Sequence, residues 1–329
     1  MKKHPFHHPE SSLNIRKTSE KEKIAFLISQ FKMPFPDDVL LGIGDDAAIL
    51  APIPGFKLVW TIDEQVEGQH FLREYLSCRD IGWRAYMTAA SDLAAMGARG
   101  WCALSSIVLP HFVSDSDWQE LIAGLREAAY SLHIPIVGGN LSQGSALSLA
   151  TTFLGYTSRA ISRGGGGAGD KLWLAGPVGL AAAGFRALQA GRGMEPSLQP
   201  AVAAWQRPQA RLDTVEELDK KAQAAIDVSD GLAQDVFSMA EASQCQALLD
   251  LDSILEYGGN PLAQAAEALM ADPLELALYG GEDYAIVAAS SQPLTGFSCI
   301  GELQEGEGLY GKKQGKKLPL TVRGFDHFI

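Results

Sequence analysis

Apolar positions along this chain fall into two periodicities. Residues 56–62 (FKLVWTI), 101–109 and 146–156 are short runs rich in β-branched and aromatic side chains and predict strands. Trp118, Leu121, Ile122, Leu125, Ala129 and Leu132 recur at helical spacing, with Ser114 and Ser116 ahead of them as possible N-caps, and predict an amphipathic helix over 117–133. A second helix is expected over 79–96, closing at Gly97. The run Gly164-Gly165-Gly166-Gly167 reads as a flexible linker with a new strand, 171–175, behind it. Residues 224–231 read as a strand that turns into a helix from Leu232. Strands and helices so mixed predict an α/β fold in two domains. The division expected is a flexible tail over 1–20, an N-terminal α/β domain over 21–160 and a C-terminal α/β domain over 161–329.

Composition narrows the function. A chain of 329 residues, 47% hydrophobic, buries a sizeable core, in keeping with two domains. Its net charge of −12 repels nucleic acid and anionic membrane, so neither is expected as a partner, and an anionic substrate must be held through metal ions or a few placed basic side chains. Cys78, Cys102, Cys245 and Cys299 are far apart with no CxxC pair, which argues against a zinc site or a disulfide framework and for a reducing compartment. The N-terminus has no apolar signal-like stretch, and the most apolar window, 172–185, is broken by Gly176, Pro177 and Gly179, short of the roughly 20 residues of a membrane span. A soluble, cytoplasmic protein is expected. His4, His7 and His8 read as a solvated tail rather than a metal site.

The familiar phosphate motifs are missing. There is no GxxxxGK[ST], no GxSxG and no HExxH. Gly164, Gly166 and Gly169 match GxGxxG formally, but a strand follows where a dinucleotide site needs a helix. Acidic residues stand instead where turns meet regular elements: Asp45 and Asp46 after Gly42 and Gly44, Asp63 and Glu64 at a strand end, Asp92 inside an apolar helix, Asp227 and Asp230 around the strand-to-helix turn, Glu282 and Asp283 after Gly280 and Gly281. Each alone is ordinary turn or cap chemistry. Five such clusters in apolar surroundings point to cations between them, and hard oxygen ligands suit Mg²⁺. That takes the residues as far as a phosphate-handling metal site.

The motifs GIGDDAA (42–48), DEQVEGQHF (63–71), SDLAAMGA (91–98), AIDVSDGL (225–232), GGEDY (280–284) and the final GFDHF (324–328) resemble, in order, those of thiamine-monophosphate kinase. The similarity runs from about residue 20 to the end. It places the chain in the superfamily of aminoimidazole ribonucleotide synthase, and so implies that enzyme's two-domain fold of mixed sheets. It also implies an N-terminal domain that binds ATP and Mg²⁺ and pairs across a homodimer. The reaction implied is phosphorylation of thiamine monophosphate by ATP, giving thiamine diphosphate by direct in-line transfer, with charge neutralisation and alignment as the main demands. By resemblance Asp45, Asp46, Thr61, Asp63, Asp92, Asp227 and Asp230 hold metal, with Asp46, Asp63 and Asp230 central to catalysis. Gly138, Gly139, Asn140, Arg163 and Ser229 contact ATP, while His70, Glu282 and Phe325 contact thiamine monophosphate, Phe325 with its ring toward the cationic thiazolium.

The chain also departs from that pattern. It has Gly138-Gly139-Asn140-Leu141-Ser142-Gln143 where the family reads Gly-Gly-Asp-Thr-Thr-Arg, Ile62 in place of a hydroxyl, Glu64 in place of a neutral residue and Ala89 in place of Asn. Asn140 removes a carboxylate that Glu64 would restore if the two lay close together. Three readings therefore stand: the kinase, another ATP-using synthetase of the superfamily, and a non-catalytic nucleotide-binding paralogue. No cysteine near the N-terminus supports the second, and only the region of Asn140 supports the third.

Overall fold

The computed structural model describes residues 20–31, 38–41, 49–51 and 53–324. The tail over 1–19, the stretch 42–48 with Asp45 and Asp46, and Phe325 lie outside the described residues. The first half comprises α1 (Glu20–Gln30), β1 (Val39–Leu41), β2 (Ile49–Leu50), β3 (Lys57–Val66), α2 (Cys78–Ala95), β4 (Arg99–Pro110), α3 (Asp115–Leu132), β5 (Ile136–Gly144) and β6 (Ser148–Thr157). β1 and β2 pair alone, and the other strands form a sheet in the order β3-β6-β4-β5, antiparallel except for the β4–β5 pair. The three expected strands are present, with β3 running on to Val66. β5 was not expected, because Gly138, Gly139 and Asn140 are poor strand formers; parallel pairing to β4 supplies its ladder.

The helix α3 starts at a Ser114 N-cap whose hydroxyl accepts the Asp117 N–H, with the Asp117 side chain reaching back to complete a capping box. Ser116 is not the cap. The helix stops at His133, which takes a left-handed conformation at φ 57°. Ser77 caps α2, and Gly97 turns the chain away at φ +62°. Nearly every face of α2 is buried. It packs on β3, β6 and α3 on one side and on β8 (Ala224–Asp227) of the second half on the other, so it forms the seam between the halves.

The second half continues with β7 (Lys171–Ala175), α4 (Leu180–Gln189), α5 (Gln199–Gln206), α6 (Val215–Lys221), β8, α7 (Leu232–Ala242), β9 (Gln246–Asp250), α8 (Leu251–Leu269), α9 (Pro273–Tyr279), β10 (Ile286–Ser290), β11 (Ser298–Gln304), β12 (Leu309–Lys313) and β13 (Lys316–Pro319). Its strands form a mixed sheet in the order β13-β12-β9-β11-β7-β10-β8 over a separate core. The glycine run 164–167 is a packed connection, not the flexible linker expected. A Cβ on Gly165 would stand 2.1 Å from the Gln223 carbonyl oxygen, and the Gly166 N–H donates to Ser243 Oγ at 3.2 Å. The glycines serve close approach of backbone to backbone.

Candidate active site

A cavity of about 730 Å³ opens where the halves meet. Three elements bring carboxylates to it. The period of two along β3 turns Thr61, Asp63 and Gln65 toward α2, and leaves Leu58, Trp60, Ile62 and Glu64 on the opposite face. Helix α2 brings Asp92, whose carboxylate accepts the Thr61 hydroxyl. β8 ends at Asp227, which accepts the Ser91 hydroxyl at 2.7 Å, and the turn after it carries Ser229 and Asp230. Burial holds the Asp92 carboxyl above its ordinary value against the lowering effect of the Thr61 bond, and the charge of Asp63 adds to the rise. Burial pushes Asp227 up to about 7, with the charges of Asp92 and Asp63 contributing. Like charges here add to what burial does, as Asp63 does for Asp92 and both do for Asp227.

The GGEDY turn is sewn to the turn after β8. Glu282 N–H donates to the Ser229 carbonyl at 2.7 Å and Tyr284 N–H to the Val228 carbonyl at 2.8 Å. A Cβ on Gly281 would lie 2.6 Å from the Ser229 carbonyl oxygen, so glycine is required there. Neighbours in this turn point opposite ways. Glu282, at φ +66°, lines the cavity, whereas Asp283 turns inward and accepts the N–H groups of Gly179 (2.7 Å) and Ala181 (3.2 Å) at the start of α4. Asp283 is thus a helix-terminus anchor, not a member of a cation site as the clustering of acidic turns suggested. Asp235, in the first turn of α7, does the same for the β8 turn, accepting the N–H groups of Asp230 and Gly231, each at 3.1 Å.

Asp63, Asp92, Asp227, Asp230, Ser229, His70 and Glu282 therefore converge on one cavity, with Thr61 behind Asp92. His70 accepts the Val66 N–H on Nδ1 at 3.0 Å. The charge of Arg163 reaches Asp92 and lowers its pKa, although Arg163 lies off the cavity wall. Gly138, Gly139 and Asn140 are not brought to this wall, because β5 is the far edge of the sheet from β3. Glu64 and Asn140 share one cross-strand row through Ala150 and Ser106, three strand spacings apart, or roughly 14 Å. Within one chain Glu64 does not restore the carboxylate missing at 140. Among the described residues no three His, Cys, Asp or Glu side chains form a ready metal cluster. The carboxylates still suit a hard cation: their donors are oxygens and partly buried, and Mg²⁺ is ordinarily held by one or two carboxylates with substrate phosphates completing its shell.

The AIR synthase related protein family matches the chain in two parts, its N-terminal domain over residues 44–157 and its C-terminal domain over 167–306. The thiamine-monophosphate kinase of Aquifex aeolicus is 32% identical over 293 residues, covering 87% of this chain and 92% of that protein. The chain belongs to the thiamine-monophosphate kinase family. It is therefore an enzyme, and its two-sheet α/β architecture is that of its relatives. A solved structure of AaThiL complexed with AMPPCP and TMP superposes with a TM-score of 0.78 at 28% identity, covering 94% of this chain and 97% of that one. The thiamine-monophosphate kinase from Stenotrophomonas maltophilia K279a superposes with a TM-score of 0.76 at 31% identity, covering 87% and 94%.

Membership of the kinase family does not by itself reveal the wall opposite the carboxylates. Phe185 on α4 stacks on Trp205 of α5 with ring centroids 5.0 Å apart and 28° between planes, and Tyr75 packs edge-on against both. Phe185, Trp205, Tyr279 and Tyr284 all line the cavity. No local pattern marks them, because they come from α4, α5, α9 and the GGEDY turn and only the fold brings them together. Arg84 was also missed; its signal was a lone charge inside the apolar stretch GWRAYMTAA.

Proposed function

We propose that this enzyme phosphorylates thiamine monophosphate with ATP, giving thiamine diphosphate and ADP by Mg²⁺-assisted, direct in-line transfer. The observation that carries the proposal is the convergence of Asp63, Asp92, Asp227 and Asp230 from both halves on one cavity, faced by an aromatic wall. A relative of nearly the same length is known with AMPPCP and TMP bound. Asp63, Asp92, Asp227 and Asp230, with Thr61 and the Asp45-Asp46 pair, would hold Mg²⁺. Bound there, Mg²⁺ would offset the charge of two anionic reactants. The acceptor phosphate oxygen attacks the γ-phosphorus, and the bond to the β-bridging oxygen breaks as ADP leaves. The attacking oxygen is already anionic, so no side chain has to remove a proton. Phe185 supplies a ring face for the acceptor's rings, and His70 and Glu282 supply polar contacts. Ser229 and Arg163 hold ATP; the Gly138-Gly139-Asn140 backbone lies off this wall within one chain and would join the nucleotide site only from a second copy.

A coupled assay of ADP release with thiamine monophosphate, with and without Mg²⁺, tests this. Turnover that needs both is expected, and D63N and D230N should each lower kcat about 100-fold with the fold intact. Full activity in both variants would remove the carboxylates from the metal assignment. ATP binding without turnover in the wild type would leave a nucleotide-binding paralogue.

The working unit we propose is a homodimer. The face of β3 turned away from α2 exposes Phe56, Leu58, Trp60 and Ile62, with Leu104 of β4 in the same cross-strand row as Ile62 beyond β6. A second copy of the chain is the cover this apolar face fits. We divide the chain at 160/161 into the N-terminal domain that binds ATP and Mg²⁺ and a C-terminal domain. Cytoplasmic placement fits the four unpaired thiols, and the net charge of −12 disfavours nucleic acid and anionic lipid. Among the described residues no helix is long and apolar enough to cross a membrane.

A further inference from the structure

Arg84 sits mid-way along α2 with none of its surface exposed, between Trp83 and Tyr86 in an otherwise apolar stretch. A guanidinium so placed must be paired and fully hydrogen-bonded. Its partners are unusual in where they come from. Nε donates to Gln65 Oε1 of β3 at 3.3 Å. Nη1 donates to the Trp205 carbonyl at 2.6 Å, and Nη2 to Glu282 Oε1. One buried cation of the first half thus ties down two segments of the second. Glu282 is gripped on its other oxygen as well: Oε2 accepts the Trp205 indole N–H at 2.5 Å. The guanidinium carbon also lies 5.2 Å from the centre of the Trp205 ring, whose own face carries Phe185.

Arg84 itself does not line the cavity, but Gln65, Trp205, Phe185 and Glu282 all do. The network is therefore the back of the wall that faces the acceptor. Glu282 is held at φ +66°, a left-handed conformation unfavourable for a non-glycine residue, and both carboxylate oxygens are tethered in that pose. We propose that Arg84 is a positioning residue: through Glu282 and Trp205 it fixes the carboxylate and the Trp205–Phe185 stack that recognise the acceptor, a cationic aromatic phosphate ester. This rests on the reading of the cavity as the thiamine monophosphate site. Pairing with Arg84 also offsets the charge of Glu282 and so lessens its repulsion of the ligand's phosphate. A simple structural ion pair would serve equally well facing away from the cavity; this one ends on cavity-lining groups alone.

The test is steady-state kinetics on the full chain with Mg²⁺, varying each substrate in turn. R84K keeps the charge but cannot fork to three acceptors. It is expected to raise KM for thiamine monophosphate about tenfold while KM for ATP stays within twofold and the melting temperature moves little. R84M should raise it further, and R84M/E282Q should lose no more than the worse single variant, since both changes break one unit. If R84M does not fold, R84K against E282Q carries the comparison. Equal changes in kcat and in both KM values, together with a fallen melting temperature, would make Arg84 merely structural and overturn the proposal. Unchanged acceptor KM in folded R84K would overturn it too. A wild-type enzyme that does not turn over thiamine monophosphate would remove the functional reading and this proposal with it, whereas an active wild type with an indifferent R84K removes the proposal alone.

Discussion

At the scale of single residues, Asp283 shows how an acidic motif divides its labour. Burial pushes its carboxyl up to about 8, against the lowering by the Gly179 and Ala181 N–H groups it accepts. An exposed aspartate in the unfolded chain titrates near ~3.9. Between those values the folded enzyme binds a proton that the unfolded chain does not, so the contribution of Asp283 to stability falls as pH rises from about 4 and is at its least favourable above about 8. D283N keeps an amide oxygen for one N–H and removes the titration. Urea denaturation of ligand-free enzyme at pH 5, 6, 7 and 8 should show a slope of stability against pH flatter in D283N by up to ~1.4 kcal/mol per pH unit. Parallel slopes for wild type and variant would mean that Asp283 is already ionised in the fold. The motif was visible as an acidic turn, but nothing in five letters says that Glu282 faces the cavity while its neighbour faces a helix terminus. That difference arises from the positive φ at Glu282, which a one-residue reading of turn composition does not contain.

At the scale of elements, α2 decides the site, and its position depends on α3. A Cβ on Gly124 would stand 1.8 Å from the Arg79 carbonyl oxygen, and one on Gly82 2.1 Å from the Leu121 carbonyl oxygen. Paired glycines thus let the two helix backbones approach where any side chain would hold them apart. The clash is with backbone and cannot be relieved by a rotamer change. G124A should therefore cost on the order of 3 kcal/mol despite the gain of about 1 kcal/mol in helix propensity. Denaturant midpoints measure it, and a neutral or stabilising G124A would refute the close-crossing account. A surviving G124A protein should also lose activity, since α2 carries both Asp92 and Arg84. Helix α3 was legible to within two residues, because its apolar period and its serine N-cap are local signals. Helix α2 was legible as a helix but not as the seam, since an apolar surface on every side names no neighbour. Strand β5 was illegible, because its ladder comes from β4, some thirty residues earlier, rather than from its own glycines.

At the scale of the molecule, helices α2 and α3 cover one face of the N-terminal sheet, whereas on the other the β1–β2 ribbon packs over Trp101, Cys102 and Val137 and the described residues leave Leu58, Trp60, Ile62 and Leu104 exposed. Residues 56–62 are apolar almost without interruption, and that pattern belongs to strands buried on both sides. The run predicts a strand without saying what covers each side; the fold shows Val59 buried against α2, while Trp60 is 74% exposed and Ile62 66%. An apolar row of this size on the outer face of an acidic protein would drive association by itself unless a specific partner covers it. With a second copy as the partner, contact about a two-fold axis would bury Leu58, Trp60, Ile62 and Leu104 of both chains. Light scattering behind size exclusion should then give a wild-type mass near twice the 35.2 kDa of one chain. L58E/W60E, which places like charges at the centre of the contact, should run as a monomer, because burying four unpaired carboxylates across the interface outweighs the remaining apolar area. The variant should keep the fold of each half, since neither side chain enters the chain's own core. A wild type that remains monomeric at tens of micromolar would show that some other molecule covers this face; a dimeric L58E/W60E would place the interface elsewhere.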